Sequence, residues 1–171
     1  MNADLKSTAK LKVATAVKRL VATLETIGFK SIKARTPTMV MNLNDETEVT
    51  LYPGVQRHAG SVLIDPVIVL YNTKLNARLL RSGWKDSSRV CHFYLSMMCS
   101  WNRLYVNDEA ELDEAVHLVA GSVVDVGLPI ISEYDSFDKV RKLFEDDIAH
   151  KKRVPVAVLF AKEKLERMRE H

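Results

Sequence analysis

The chain has 171 residues, of which 47% are hydrophobic and 27% charged, with only six glycines and five prolines. This length and composition fit one globular domain with a sizeable core and argue against disordered, collagen-like and coiled-coil chains. The net charge of +3 is segregated, because residues 1–35 carry eight basic against two acidic side chains and residues 107–148 carry twelve acidic against three basic ones.

The sequence predicts neither export nor a membrane partner. Its longest apolar run, at 66–71, is too short to span a bilayer. The N-terminus has lysines but no continuous apolar region and no small-residue cleavage site. Two cysteines without disulfide-framework spacing are typical of a reducing compartment, so we expect a cytoplasmic protein.

The first predicted element is an amphipathic helix over about residues 4–27. Its apolar stripe repeats at helical spacing and comprises Val13, Val17, Leu20, Val21, Leu24 and Ile27. Gly28 follows at the position of a left-handed C-terminal cap. Asn2 or Ser7 could cap the other end.

Between residues 36 and 106 the hydrophobic period changes to two, which predicts strands. These are expected at 36–44, 48–52, 60–72, 89–102 and 103–106, with a turn at 44–47, a break or bulge at Pro53-Gly54 and a short helix at 73–83 closed by Gly83. Because proline cannot donate to a ladder, Pro66 is expected at an edge or at a bulge that bends a long strand.

The last third predicts about three helices. The first, over about 107–127, has carboxylates in its first turns, as the helix dipole favours, and is expected to end at Gly127 and Pro129. Asp135 or Ser136 caps the second, and the third covers the last 21 residues with Pro155 in its first turn. The order predicts a single α+β domain with segments 1–28, 36–106 and 107–171, and a mainly antiparallel sheet of about four to five strands.

The segment "RVCHFYLSMMCSWN" at 89–102 contains both cysteines, Cys91 and Cys99, and suggests a metal or redox site. As a strand it places them on one face roughly 26 Å apart, because each residue advances about 3.3 Å. A disulfide needs Cα atoms within about 7 Å, and a shared zinc needs similar closeness. We therefore interpret both as core residues and predict no metal.

The opposite face of that strand carries His92 and Tyr94, and it is either a solvated sheet face or an open surface for a ligand. Arg57 and His58 lie in a turn that could bind phosphate or assist proton transfer. Trp84 follows the short helix and is either an interaction hot spot or a plug at the edge of the core. Catalytic, metal and phosphate-loop motifs are absent, so we predict no catalytic residue and no cofactor.

The order of helix, strands and helices resembles a group of small bacterial α+β proteins, some of which look like immunity proteins of contact-dependent or polymorphic toxin systems. The likeness lies in residues 24–44, 60–72 and 112–147, the last with its "GLP" break between two helices. The resemblance implies inhibition or sequestration of a partner protein. It carries over no functional residues.

The leading hypothesis is thus a non-enzymatic protein that occludes a partner, such as a basic toxin. Its proposed contacts are Trp84 and an acidic block formed by Asp108, Glu109, Glu111, Asp113, Glu114, Glu145, Asp146 and Asp147. One alternative is nucleic-acid binding through the basic N-terminal helix and the "KKR" at 151–153. Another is a small-molecule or hydrolytic pocket lined by Arg57, His58, His92 and Tyr94.

Overall fold

The computed structural model describes residues 11–32, 37–85, 88–99, 101–149, 157–158 and 160–169. The helices are α1 Val13–Thr26, α2 Thr73–Arg81, α3 Leu95–Met98, α4 Glu109–Ser122, α5 Leu128–Ser132, α6 Phe137–Ile148 and α7 Ala161–Arg169, with a π-helical turn at Val123–Gly127. The strands are β1 Lys30–Ile32, β2 Thr38–Asn42, β3 Thr47–Tyr52, β4 Val55–His58, β5 Ser61–Ile64, β6 Val67–Asn72, β7 Arg89–Tyr94, β8 Leu104–Val106 and β9 Ala157–Val158. The predicted α+β class is confirmed.

The described strands form two antiparallel sheets, where the sequence predicts one sheet of four to five strands. Sheet A has the order β1-β2-β3-β6-β7-β9, and sheet B has the order β4-β5-β8. The predicted long strand at 60–72 is divided at Asp65-Pro66, with β5 in sheet B and β6 in the middle of sheet A. Pro66 cannot donate a ladder hydrogen bond, and here it lies where the chain changes sheets instead of bending one strand.

The core lies against one face of sheet A. The register aligns the buried side chains of this face across β2, β3, β6 and β7, namely Met39, Val49, Leu51, Ile68, Leu70, Cys91 and Phe93. They form one cluster with Leu20 and Leu24 of α1, with Leu112, Val116 and Val119 of α4, and with Val140 and Phe144 of α6. The helices therefore supply the other half of this core, as an antiparallel sheet with one covered face requires.

The predicted local signals for α1, α2 and the first hairpin are confirmed within the described residues. Gly28 follows α1 and Gly83 follows α2, both at positive φ, as left-handed caps require. The Asn72 side chain caps α2 by accepting a hydrogen bond from the Leu75 N–H at 3.0 Å. The first helix begins later than predicted, because Leu11 and Lys12 are not helical and α1 starts at Val13 with Lys12 in extended conformation as its N-cap residue. Asn2 and Ser7, the predicted caps, lie outside the described residues.

The predicted strand at 89–102 is wrong beyond Tyr94. β7 ends there and α3 follows, so the two-residue alternation is lost. Met97, predicted on the Cys91 face, is 78% exposed, and Ser96, predicted on the opposite face, is buried. The run of Leu, Ser and Met after β7 favours a helical turn as readily as a strand, because none of these residues is β-branched.

The helix that begins at Glu109 does not end at Gly127 and Pro129, as the sequence predicts, but continues to Ser132. Pro129 cannot donate to a carbonyl one turn earlier, and the backbone widens into a π-helical turn just before it. Gly127 provides close packing instead of a cap, since a Cβ there would lie 2.5 Å from Ile68 Cδ1.

The same continuous helix, Glu109–Ser132, is long and apolar enough to cross a membrane by length and composition alone. Of its most apolar window, 44% is buried inside the protein. Leu112, Val116, Val119 and Val123 all belong to the core cluster. Packing against the core thus accounts for part of its apolar surface, whereas Leu118 and Val124 remain exposed.

The predicted last helix is shorter than expected. Ala157–Val158 form β9, which pairs with β7, and the helix begins only at Ala161. Its Lys164 is fully buried, and the ammonium donates a hydrogen bond to the carbonyl of Arg89. Arg78 also donates to the Met168 carbonyl at 2.6 Å. These contacts hold α7 against α2 and β7, whereas Pro155 lies outside the described residues.

Candidate partner-binding surface

Two residues of the predicted acidic block cap a helix. Asp108 is the N-cap of α4 and accepts a hydrogen bond from the Glu111 N–H at 2.9 Å. The Glu111 carboxylate accepts in return from the backbone and side-chain amides of Asn107, at 2.8 and 3.0 Å. This arrangement is close to a capping box, which satisfies N–H groups that the first turn of a helix leaves free. Asp108 and Glu111 thus have local structural roles.

Two further acidic residues pair within the protein. Arg19 of α1 contacts Asp113 at 2.6 Å and Glu109 at 3.4 Å, which joins α1 to α4. The hydrogen bond to Asp113 raises the pKa of Arg19 above its ordinary value. Since the basic N-terminal helix neutralises part of the acidic helix, less negative charge is available to an outside partner.

The remaining acidic residues of the predicted block lie on two different helices. Glu114 is exposed on α4, whereas Glu145, Asp146 and Asp147 lie on α6, which packs against α7. Glu145 is exposed and the two aspartates are partly buried. The predicted block is therefore divided between two helix pairs.

Trp84 is partly buried at the edge of the core. Its ring meets Phe160 edge-on at 6.0 Å, and the Arg167 guanidinium lies 5.7 Å from it. Its indole N–H is buried without a hydrogen-bond partner among the described residues. Between the prediction of a hot spot and that of a plug, its placement between α2 and α7 favours the plug.

The four predicted pocket residues do not line one cavity. Arg57 donates to the Gly60 carbonyl at 3.1 Å and to the Leu11 carbonyl at 2.7 Å, so it ties the β4–β5 hairpin to the start of the first helix. The His58 ring packs on Tyr105 of β8 at 5.2 Å. His92 lies in the other sheet.

The second face of sheet A carries His92 and Tyr94, as predicted from the alternation within β7. By register, His92 lies beside Val69, and its neighbours along the face include Tyr71 and Arg89. A hydrogen bond to Tyr71 raises the pKa of Arg89, and burial raises the pKa of Tyr71. Along this face Val69 is fully buried, His92 is partly buried and Tyr94 is 40% exposed, so the face is partly covered.

Burial and the neighbouring charge of Arg89 lower the pKa of His92. Because the unfolded pKa is about 6.5, the unfolded chain binds more protons in the window below that value. We therefore expect stability that is fully present above about pH 6.5 to be lost as the pH falls through this window. Urea unfolding at roughly pH 7.5 and pH 5.5 should show a smaller loss in His92→Gln than in the wild type. The same loss in both would contradict this role.

Both cysteines are free, as predicted, but they differ in environment. Burial raises the pKa of the Cys91 thiol to about 12, whereas Cys99 is partly exposed after α3. Since the thiolate is the reactive form, we expect iodoacetamide to label Cys99 in the native protein and Cys91 only after denaturation. Mass spectrometry would measure this, with Cys99→Ser as the control that abolishes native labelling. Fast labelling of Cys91 in that variant would be inconsistent with the fold.

A buried polar cluster lies where the chain passes between the two sheets. The Asp65 carboxylate, 9% exposed, contacts Arg103 Nε at 2.9 Å and accepts a hydrogen bond from the Ser96 hydroxyl at 2.9 Å. The Asp65 N–H donates to the Gly54 carbonyl at 3.2 Å. No local sequence pattern indicates this cluster, because its three side chains come from segments up to 38 residues apart.

Arg103 lies at the centre of a surface with three adjoining clefts. One, of about 350 Å³, lies beside Tyr94 and Asp65. The other two, of about 780 and 440 Å³, share Trp101, Asn102, Arg103 and Tyr105 in their walls. We call the side chains around these two the Arg103 surface: Met97, Trp101, Arg103, Tyr105 and Leu118.

The Arg103 surface contains exposed apolar side chains and a tryptophan whose ring is held by a hydrogen bond. Met97 is 78% exposed, Tyr105 48% and Leu118 43%. The Trp101 indole donates a hydrogen bond to the Ser122 hydroxyl at 3.1 Å, which fixes its ring against α4. Aromatic, Met and Arg side chains are enriched in protein interfaces, so this composition suits a partner protein better than a small polar ligand.

In comparisons with known proteins, no family model, no curated protein and no solved structure matches the chain. Within the described residues, no group of three or more His, Cys, Asp or Glu could hold a metal ion. The "KKR" at 151–153 and residues 1–10, on which the nucleic-acid alternative depends, lie outside the described residues.

Proposed function

We propose that the protein binds a partner protein and acts by occluding it, as an inhibitor or immunity-type protein does. The observation that carries the proposal is the Arg103 surface. It exposes Met97, Tyr105 and Leu118 around a charged residue that Asp65 holds in place. Exposed apolar groups of this kind, rimmed by polar ones, are characteristic of interaction sites.

The charges on this surface indicate which groups a matching partner would carry. Glu114 and Arg103 line the same cleft, and Glu111 lies one turn before Glu114 on α4. A partner with an apolar anchor and an adjacent basic group would match both features. Such charge pairs mainly accelerate association, while the buried anchor supplies most of the affinity.

The test is a comparison of Met97→Asp with Leu80→Asp, which alters another exposed apolar residue, on α2. Each protein is immobilised and exposed to lysate of the source organism, and any retained protein is identified, purified and titrated by calorimetry. We expect Met97→Asp to weaken the affinity at least tenfold and Leu80→Asp to leave it unchanged. Equal affinities for both variants, or no protein retained by the wild type at micromolar concentration, would refute the proposal.

A further inference from the structure

We infer that the partner is bound as an extended segment that adds a strand to β8, in the groove between β8 and α4. The inference rests on the proposed function and specifies its mode of binding and the chemistry of the segment. Strand addition of this kind obtains affinity from main-chain hydrogen bonds and specificity from alternate side chains.

The first support is the free edge of β8. β8 pairs with β5 on one side and is the last strand of sheet B. Within the part of the chain that the structure describes, the backbone of Leu104–Val106 has no hydrogen bond beyond its ladder with β5. Unpaired N–H and C=O groups along a strand edge are a template for another strand.

The second support is the composition of this edge. Natural edge strands are commonly protected by lysine, proline, a bulge or a very short length, and of these β8 has only the last, with three residues. β8 reads Leu-Tyr-Val, without a lysine or proline, and its register with β5 runs without a bulge. Tyrosine and valine are also strong strand formers.

The third support is the groove beside the edge. It is lined by residues 101–106 and by four residues of α4, namely Glu111, Glu114, Ala115 and Leu118. These four positions recur at helical spacing, so they form one stripe along α4. The groove measures about 440 Å³. We infer that the added strand occupies this cleft, which is bounded by the β8 segment and by a stripe of α4.

The residues that line the groove indicate which side chains the bound segment carries. Leu118, which is 43% exposed, offers apolar contact, and Glu114 offers a negative charge on the same stripe. Side chains of an extended segment point to the same side every second residue. The segment should therefore carry a β-branched or aromatic residue and a Lys or Arg two positions apart.

The probe is a displayed library of random nine-residue peptides selected on the immobilised wild-type protein. We expect enriched peptides to share an apolar residue and a basic residue two positions apart. A synthetic enriched peptide should bind Glu114→Lys at least fivefold more weakly than the wild type. Glu145→Lys, with the same charge change on exposed α6, should bind it normally.

Two measurements test the backbone pairing itself. Peptide binding should slow hydrogen exchange of amides in residues 104–106, and N-methylation of alternate peptide residues should weaken binding about tenfold by removing two hydrogen bonds. Absence of enrichment, equal binding of the methylated peptide, or protection elsewhere would overturn strand addition. If Met97→Asp still abolishes binding of the cellular partner, the proposed function survives that failure.

Discussion

Gly54→Ala should lower the free energy of unfolding by on the order of 3 kcal/mol or more. Gly54 has a φ of +61°, and a Cβ built there would lie 2.0 Å from the carbonyl oxygen of Asp65. That neighbour is backbone, so rotation of a side chain cannot relieve the overlap. Either the turn after β3 or the passage between the sheets must move.

Gly60→Ala is the matched control. Gly60 also has a positive φ, of +98°, but a Cβ there would have nothing within 4 Å. Its substitution should cost only the backbone strain, about 1–2 kcal/mol. Urea unfolding followed by circular dichroism measures both variants. If Gly54→Ala lowers the free energy of unfolding no more than Gly60→Ala does, Gly54 does not lie as close to the Asp65 carbonyl as described.

Local signals predict much of this fold because they depend on residues close in sequence. Gly28 and Gly83 close α1 and α2, and the turn at 44–47 joins β2 to β3. Each follows from glycine at positive φ or from turn-forming side chains. The α+β class follows from the change of hydrophobic period along the chain.

The errors arise where tertiary contacts decide the local conformation. Pro66 separates two strands because Asp65 is held by Gly54, Ser96 and Arg103, none of which is near it in sequence. Gly127 lies inside a helix, where the absence of a side chain lets the helix approach Ile68 of the sheet closely. Neither contact has a signal in a single sequence.

The candidate site shows the same limit. Tyr94 was identified from strand alternation and does line a cleft, but with Asp65 and Arg103 rather than with Arg57 or His58. The acidic block was identified from composition, which cannot reveal that Arg19 pairs with Glu109 and Asp113. A count of charged residues therefore overestimates the negative charge on α4 that is available to bind a partner.

The Asp65–Arg103 pair should show the strongest side-chain coupling on the candidate surface. Arg103→Met leaves the buried Asp65 carboxylate with only the Ser96 hydroxyl, which should cost about 1–3 kcal/mol of unfolding free energy, moderated because Arg103 itself is 60% exposed. Asp65→Asn removes the negative charge. In that background, Arg103→Met should change the free energy of unfolding very little. A double-mutant cycle by urea unfolding then gives a coupling of about 1–2 kcal/mol.

The exposed Arg141–Asp138 pair on α6, at 3.2 Å, is the control cycle and should couple by only about 0.3 kcal/mol. Equal coupling in the two cycles would mean that burial of Asp65 does not strengthen its pairing. The larger coupling would instead establish that Arg103 is held by a carboxylate that it also stabilises. A guanidinium positioned in this way loses little conformational entropy when a partner covers it, which is why it is suited to the centre of a binding surface.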